Sequence, residues 1–126
     1  MAMSSTESLF NGKWRNERGS EMVLRLSRGK VTGTYVTQIG DKRALSKSRP
    51  LVGQAHLDVI GFVVAWPEVG SLTSWAGRLV IKRGRSDSIH TVWHLVRPSK
   101  LDSPADRVEL WASFLTNSSV FRRIPE

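Results

Sequence analysis

Residues 12–26 read GKWRNERGSEMVLRL and have the pattern of two antiparallel strands joined by a turn at Gly19. Counting by twos places Trp14 on the same face as the apolar residues of the second strand, as expected for a half-buried hairpin. The same count places Asn16 and Ser20 on that face. The stretch therefore predicts a β-sheet protein whose core face carries an amide and a hydroxyl.

The rest of the chain continues as short alternating segments separated by turn residues, which is typical of an all-β fold. Eight strands are predicted, near residues 12–17, 20–27, 31–39, 50–56, 58–66, 72–83, 88–97 and 110–122. Meandering strands with short connections favour an eight-stranded antiparallel up-and-down β-barrel, because closure leaves no free edge; a sandwich is the alternative. One helical turn is predicted, in the segment SPADRVEL with Ser103 as its N-cap.

Composition indicates one globular domain of 126 residues, with 40% hydrophobic residues and a net charge of +8. We interpret residues 1–9 as a flexible leader and residues 10–126 as the barrel domain. No apolar run approaches the roughly 18 residues of a membrane helix, no signal peptide is visible, and cysteine is absent. The excess of Lys and Arg is compatible with nucleic-acid binding, but the cations are scattered over turns and outward strand positions, which favours a solvated surface.

Polar side chains recur on the inward face of the later strands. Tyr35 and Thr37 share a face with Val31, while Trp75 and Trp93 share faces with neighbouring Thr residues. A buried hydroxyl or amide costs about 1–3 kcal/mol unless it is paired, and a barrel of about eight strands has room for one small ligand. The set predicts a pocket for a small, partly apolar ligand that forms hydrogen bonds.

These stretches resemble the avidin/streptavidin family of biotin-binding proteins. The resemblance runs in the family's order from about residue 12 to residue 123. It is carried by GKWRNERGSEM (12–22), GKVTGTYVTQIG (29–40), GFVVAW (61–66), SLTSWAG (71–77), TVWHL (91–95) and the spacing from Trp111 to Phe121. The family fold that it implies is an eight-stranded antiparallel up-and-down barrel.

The resemblance also implies roles for individual residues. Asn16, Ser20 and Tyr35 are expected to donate hydrogen bonds to the ureido oxygen of biotin, and Thr37 to accept one from a ureido N–H. The other expected ligand contacts are the aromatic walls Trp66, Trp75 and Trp93, then Thr73 and Leu95 near the sulfur, and Ile39, Gly40, Asp41 and Ser71 near the valeryl chain and carboxylate. Trp111 resembles the tryptophan that a subunit lends to its neighbour's pocket.

Several positions depart from the family pattern. Ser119 falls where the family has an Asp or Asn that accepts the second ureido N–H, and Asn117 serves instead if the register slips by two. Asp41 falls where a neutral residue often meets the ligand carboxylate, with the nearby cations Lys42, Arg43 and Lys47 able to offset its charge. Arg18 replaces a usual Leu in the first turn.

The sequence therefore predicts a non-enzymatic, high-affinity biotin binder that uses biotin as ligand and needs no cofactor or metal. A homo-oligomer is expected, either a tetramer or a dimer, since His94 lies on the face that is apolar in tetrameric members. No membrane or nucleic-acid partner is expected, and the family suggests a secreted or periplasmic location. The alternatives are an avidin-like barrel for another small molecule or a peptide, and a basic β-barrel that binds nucleic acid.

Overall fold

A computed structural model describes residues 5–84, 86–99 and 110–126 of the chain. It contains a short helix, α1 (Ser5–Phe10), and eight strands: β1 (Gly12–Asn16), β2 (Glu21–Ser27), β3 (Lys30–Val36), β4 (Ser48–His56), β5 (Val59–Trp66), β6 (Ser71–Val80), β7 (Ser88–Val96) and β8 (Phe114–Ile124). Each strand pairs antiparallel with the next, and β8 pairs with β1. The eight-stranded antiparallel up-and-down barrel predicted from the alternating pattern is confirmed.

The first hairpin positions the residues that open the sequence. Gly19 has a φ of +87°, which a glycine adopts without strain, and it lets β1 turn into β2. The register pairs Trp14 with Met22, and both side chains are fully buried in the core. Gly33 on β3 serves a different purpose, because a Cβ there would collide with the carbonyl oxygen of Val23 on β2. These contacts hold the first three strands close together.

Helix α1 covers one end of the barrel and includes residues 5–9 of the stretch interpreted as a leader, whose flexibility stays a prediction. The indole Nε1 of Trp14 donates to the carbonyl of Phe10 at 2.9 Å, and Phe10 is completely buried. The guanidinium of Arg123 donates to the carbonyls of Leu9 and Asn11 and lies 4.3 Å from the centre of the Trp14 ring. These tertiary contacts stabilise a helix that is too short to be stable on its own.

Three predicted strands differ from the observed ones by three or more residues at one end, and one of them, β6, ends at Val80 instead of residue 83. β3 ends at Val36 instead of residue 39, because the Thr37 hydroxyl bonds to the backbone of Ile39 and turns the chain. β8 begins at Phe114, after a 3₁₀ turn over Leu110–Ser113. The helical turn predicted at Ser103 lies outside the described residues. Within residues 5–84, 86–99 and 110–126, no helix has the length and apolar character to cross a membrane.

Candidate ligand-binding site

A cavity of about 840 Å³ opens at the end of the barrel formed by the carboxyl end of β1 and the segment 37–47. All of the predicted ligand contacts in the described residues line it, except Ser20. The lining residues are Asn16, Arg18, Tyr35, Thr37, Ile39, Gly40, Asp41, Arg43, Ala44, Trp66, Glu68, Val69, Ser71, Thr73, Trp75, Trp93, Leu95, Arg97, Pro98, Leu115 and Ser119. The parity count therefore identified the polar and aromatic part of one continuous wall.

One wall of the cavity presents hydrogen-bond donors. The Asn16 Oδ1 atom accepts from the backbone N–H groups of Arg18 and Ser20, both at 3.0 Å. Since both accepting positions of that oxygen are occupied, the Asn16 amide turns its NH₂ group, which can only donate, away from the turn. The side chain is buried yet lines the cavity. The Asn16 NH₂ group is thus a hydrogen-bond donor in the cavity lining.

Tyr35 supplies the second donor of this wall. Burial raises the pKa of Tyr35 to about 12, against an opposing hydrogen bond with the Ser20 side chain, so the phenol keeps its proton at neutral pH. Ser20 itself is completely buried, and its oxygen also accepts from the backbone N–H of Gln38 at 2.9 Å. Ser20 therefore lies outside the cavity lining in this structure, and its predicted direct contact with a ligand stays a prediction.

Thr37 offers an acceptor at the edge of the donor wall. Its hydroxyl donates to the carbonyl of Ile39 at 2.9 Å and accepts from the N–H of the same residue at 3.3 Å. A hydroxyl has one proton and two lone pairs, so one accepting position remains. Because the Thr37 proton is already used, this hydroxyl can only accept from a ligand.

Aromatic rings form the apolar walls. The Trp75 ring packs against Tyr35 and Phe62, with ring centroids 4.9 Å and 5.0 Å apart, and it is stacked on Phe62. Trp66 Nε1 donates to Thr73 Oγ1 at 2.8 Å, which fixes the orientation of that indole. Aromatic side chains held in place by rigid neighbours, or by a satisfied indole N–H as in Trp66, can contact a ligand with little entropy cost.

The mouth of the cavity is lined by charged residues that the alternating pattern did not predict. Arg43 binds Asp41 through two hydrogen bonds of 2.9 and 2.8 Å, and this contact holds the pKa of Asp41 well below its usual range. The pair is exposed and locally neutral, so Asp41 does not present an isolated negative charge. Glu68 lines the rim in an ion pair with Arg49.

Ser119 lies on β8 in a different environment from Asn117. Ser119 is buried, and its Oγ accepts from Trp93 Nε1 at 3.2 Å and from Arg18 Nη1 at 3.1 Å. Asn117 is exposed, lies outside the cavity lining and bonds through Oδ1 to the N–H of Ser118. The structure thus brings Ser119, and not Asn117, to the cavity.

The remaining residues are one predicted residue, Trp111, and several cavity residues that the sequence did not predict. Trp111 lies in the 3₁₀ turn before β8, and its side chain is outside the described part of the chain, so its role toward a neighbouring subunit stays a prediction. Ala44, Arg97 and Leu115 were not predicted: Ala44 lies outside the predicted strands, where parity gives no direction, and Arg97 is the last residue of the predicted strand 88–97 but lies just beyond β7 in the structure. Leu115 shares parity with Ser119, and that signal was available.

The closed barrel and its end cavity, with donors, an acceptor and aromatic walls, define a small-ligand-binding β-barrel protein. The family model described as "Avidin family" matches residues 4–124, and the chain belongs to the avidin family.

Relatives and solved structures agree with this placement. The chain is 34% identical to avidin-related protein 4/5 of Gallus gallus over 83% of this chain and 73% of that protein. It is 30% identical to avidin of Gallus gallus over 97% of this chain and 82% of that protein. It superposes on xenavidin with a TM-score of 0.77 at 28% identity, over 94% and 99% of the two chains. A rhizavidin–biotin complex, at 22% identity and a TM-score of 0.77 over 98% of both chains, shows the same fold.

Proposed function

We propose that the protein is a non-enzymatic binder of biotin with high affinity. The observation that carries the proposal is the donor wall of Asn16 and Tyr35 beside the acceptor Thr37, enclosed by indoles in a pre-formed cavity. The ureido ring of biotin has a carbonyl oxygen flanked by N–H groups, which complements two donors and an adjacent acceptor. Two convergent donors polarise such a carbonyl and strengthen the hydrogen bonds.

The apolar part of the proposed ligand fits the other walls. The bicyclic ring and its sulfur would lie among Trp66, Trp75 and Trp93, where burial of apolar surface contributes about 25 cal/mol per Å². The valeryl chain would leave through the mouth beside Ile39. There the Asp41–Arg43 pair offers a neutral surface with guanidinium N–H groups for the ligand carboxylate.

Isothermal titration with biotin tests the proposal. We expect saturable binding with a dissociation constant of about 1 nM or below and a thermal unfolding midpoint that rises with biotin concentration. No heat and no thermal shift at a large excess of biotin would contradict it. Tyr35→Phe keeps the ring against Trp75 and removes the donor, so it should weaken binding by about tenfold. Thr34→Val, on the outward face of the same strand, is the matched control and should bind as the wild type does.

The same fold leaves apolar residues on the outer faces of β6 and β7, and we propose that they contact another copy of the chain. Leu72 is 41% exposed and Val92 is 48% exposed. Light scattering coupled to size-exclusion chromatography should give a mass above that of one chain. Val92→Glu, which places a charge on this face, should reduce that mass, whereas Thr34→Val should leave it unchanged.

The nucleic-acid alternative requires aromatic rings interleaved with cations on an exposed strand face. Trp66 and Trp75 are instead buried around the cavity. We therefore favour the small ligand.

A further inference from the structure

The Ser119 hydroxyl receives two hydrogen bonds from different elements of the barrel. Trp93 Nε1 on β7 donates at 3.2 Å, and Arg18 Nη1 in the β1–β2 turn donates at 3.1 Å. An indole N–H and a guanidinium can only donate, and a hydroxyl oxygen has two lone pairs. Both accepting positions of Ser119 are therefore occupied by protein groups.

The consequence is that Ser119 has only its own proton to offer to a ligand. The residue lines the cavity, and so does the Arg18 guanidinium, whose remaining N–H groups are also donors. The β8 side of the cavity thus presents donors. Together with Asn16 and Tyr35, these residues give the cavity donors on two of its sides, and Thr37 supplies an acceptor.

Arg18 is held in this position by contacts of its own. Its Nη1 atom lies 3.4 Å from Glu17 Oε1 and 3.5 Å from the carbonyl oxygen of Ser118. The other oxygen of Glu17 accepts from the backbone N–H of Val120 at 3.1 Å, which joins the turn to β8. The Arg18 side chain is 32% exposed, so it can leave Ser119 without unfolding the turn.

We propose that Arg18 is a specificity-determining residue that makes the β8 wall of the cavity prefer a hydrogen-bond acceptor over an N–H group of the ligand. The inference rests on the proposed function, because it assumes that a biotin-like ring lies between Thr37 and Ser119. A cyclic urea places an N–H group on each side. The N–H beside Thr37 finds an acceptor, whereas the N–H beside Ser119 meets donors unless Arg18 moves away. A cyclic carbamate of the same shape has a ring oxygen on the Ser119 side. That oxygen can accept a hydrogen bond from the Ser119 hydroxyl or from Arg18.

Biotin titration of four variants tests the role of Arg18. Arg18→Leu frees one lone pair of Ser119, so we expect biotin to bind about tenfold more tightly than to the wild type. Arg15→Leu is the matched control, because Arg15 is exposed on β1, pairs with Glu21 and does not line the cavity. In a Ser119→Ala background, which removes the oxygen, Arg18→Leu should change the affinity by less than about threefold. Thermal unfolding of each variant confirms that it is folded.

A second pair of probes separates the inference from the proposed function. These are the two cyclic carbamate analogues of biotin, one with the ring oxygen toward Ser119 and the other with it toward Thr37. The wild type should prefer the first analogue to the second, and Arg18→Leu should reduce that preference by about tenfold.

Each outcome decides between the two proposals. If biotin binds and Arg18→Leu binds it equally or less tightly, the inference is overturned while the proposed function stands. If the wild type binds no biotin but binds the analogue with its ring oxygen toward Ser119, the proposed ligand is wrong and the inference is supported. If no variant binds biotin or either analogue, both are overturned.

Discussion

The hydrogen bond between Trp66 and Thr73 gives a quantitative test of how the cavity wall is stabilised. Trp66 Nε1 donates to Thr73 Oγ1 at 2.8 Å, and the two residues are 7% and 6% exposed. Thr73→Val keeps the shape of the side chain and removes the only acceptor that the described residues give this indole. A buried donor left unpaired costs about 1–3 kcal/mol. Since Thr73 lines the cavity, where water can reach the indole, we expect a loss of about 1–2 kcal/mol in the free energy of unfolding.

Urea unfolding of the ligand-free protein measures this loss. The comparison requires that the free energy of unfolding depends on urea concentration with the same slope in the variant and the wild type. Thr34→Val carries the same chemical change at an exposed position and should alter the free energy of unfolding by less than about 0.5 kcal/mol. In a Trp66→Phe background there is no indole N–H to satisfy, so Thr73→Val should cost much less than in the wild type. An equal cost in both backgrounds would refute the assignment of the loss to this hydrogen bond.

Three further predictions concern the closed end, the donor wall and the mouth of the barrel. Trp14→Phe removes the bond to the Phe10 carbonyl and part of the packing, so the free energy of unfolding should fall by about 1–3 kcal/mol, with faster amide exchange at Asn11. Tyr35 is the single tyrosine, and burial raises its pKa to about 12. Its contribution to the free energy of unfolding is therefore complete below pH 10 and is lost as the pH rises through 12. Ultraviolet titration should show a midpoint near 12 in the folded protein and a midpoint near 10 in the unfolded protein. Asp41 should titrate below its ordinary pKa in carbon-detected NMR, since the Arg43 guanidinium stabilises the carboxylate, and Arg43→Ala should return the midpoint toward 3.8.

The fold was predictable because strand alternation is a local property of the sequence. Around Trp14 and Tyr35, apolar residues recur at every second position, and this period indicates which face of the strand lies toward the core. Short turns between the strands favour antiparallel pairing of consecutive strands. Helix α1 was not predictable in the same way, because its stability comes from Trp14 and Arg123, and the latter is more than a hundred residues away in the sequence.

In the candidate site, too, strand residues were predictable and turn residues were not. Residues on strands, such as Thr73 and Trp75, were assigned to the cavity by parity and resemblance together. Arg18 and Arg43 reach it from turns, where the direction of a long side chain depends on contacts that alternation does not encode. Ser20 has the predicted parity, yet it lies in the turn before β2, is completely buried and forms hydrogen bonds with Gln38 and Tyr35 instead of lining the cavity.

The ladder between β1 and β8 has a consequence for how the chain folds. Each of the other ladders joins consecutive strands, whereas this one pairs Lys13 with Ile124. Closing so long a loop carries a larger entropy cost than any hairpin, so the final ladder is expected to form late and to set the folding rate. Until it forms, β1 and β8 are open edges that another chain can pair with. Conditions or substitutions that delay this one pairing should therefore lower the yield of native protein through aggregation, even when they leave the stability of the finished barrel unchanged.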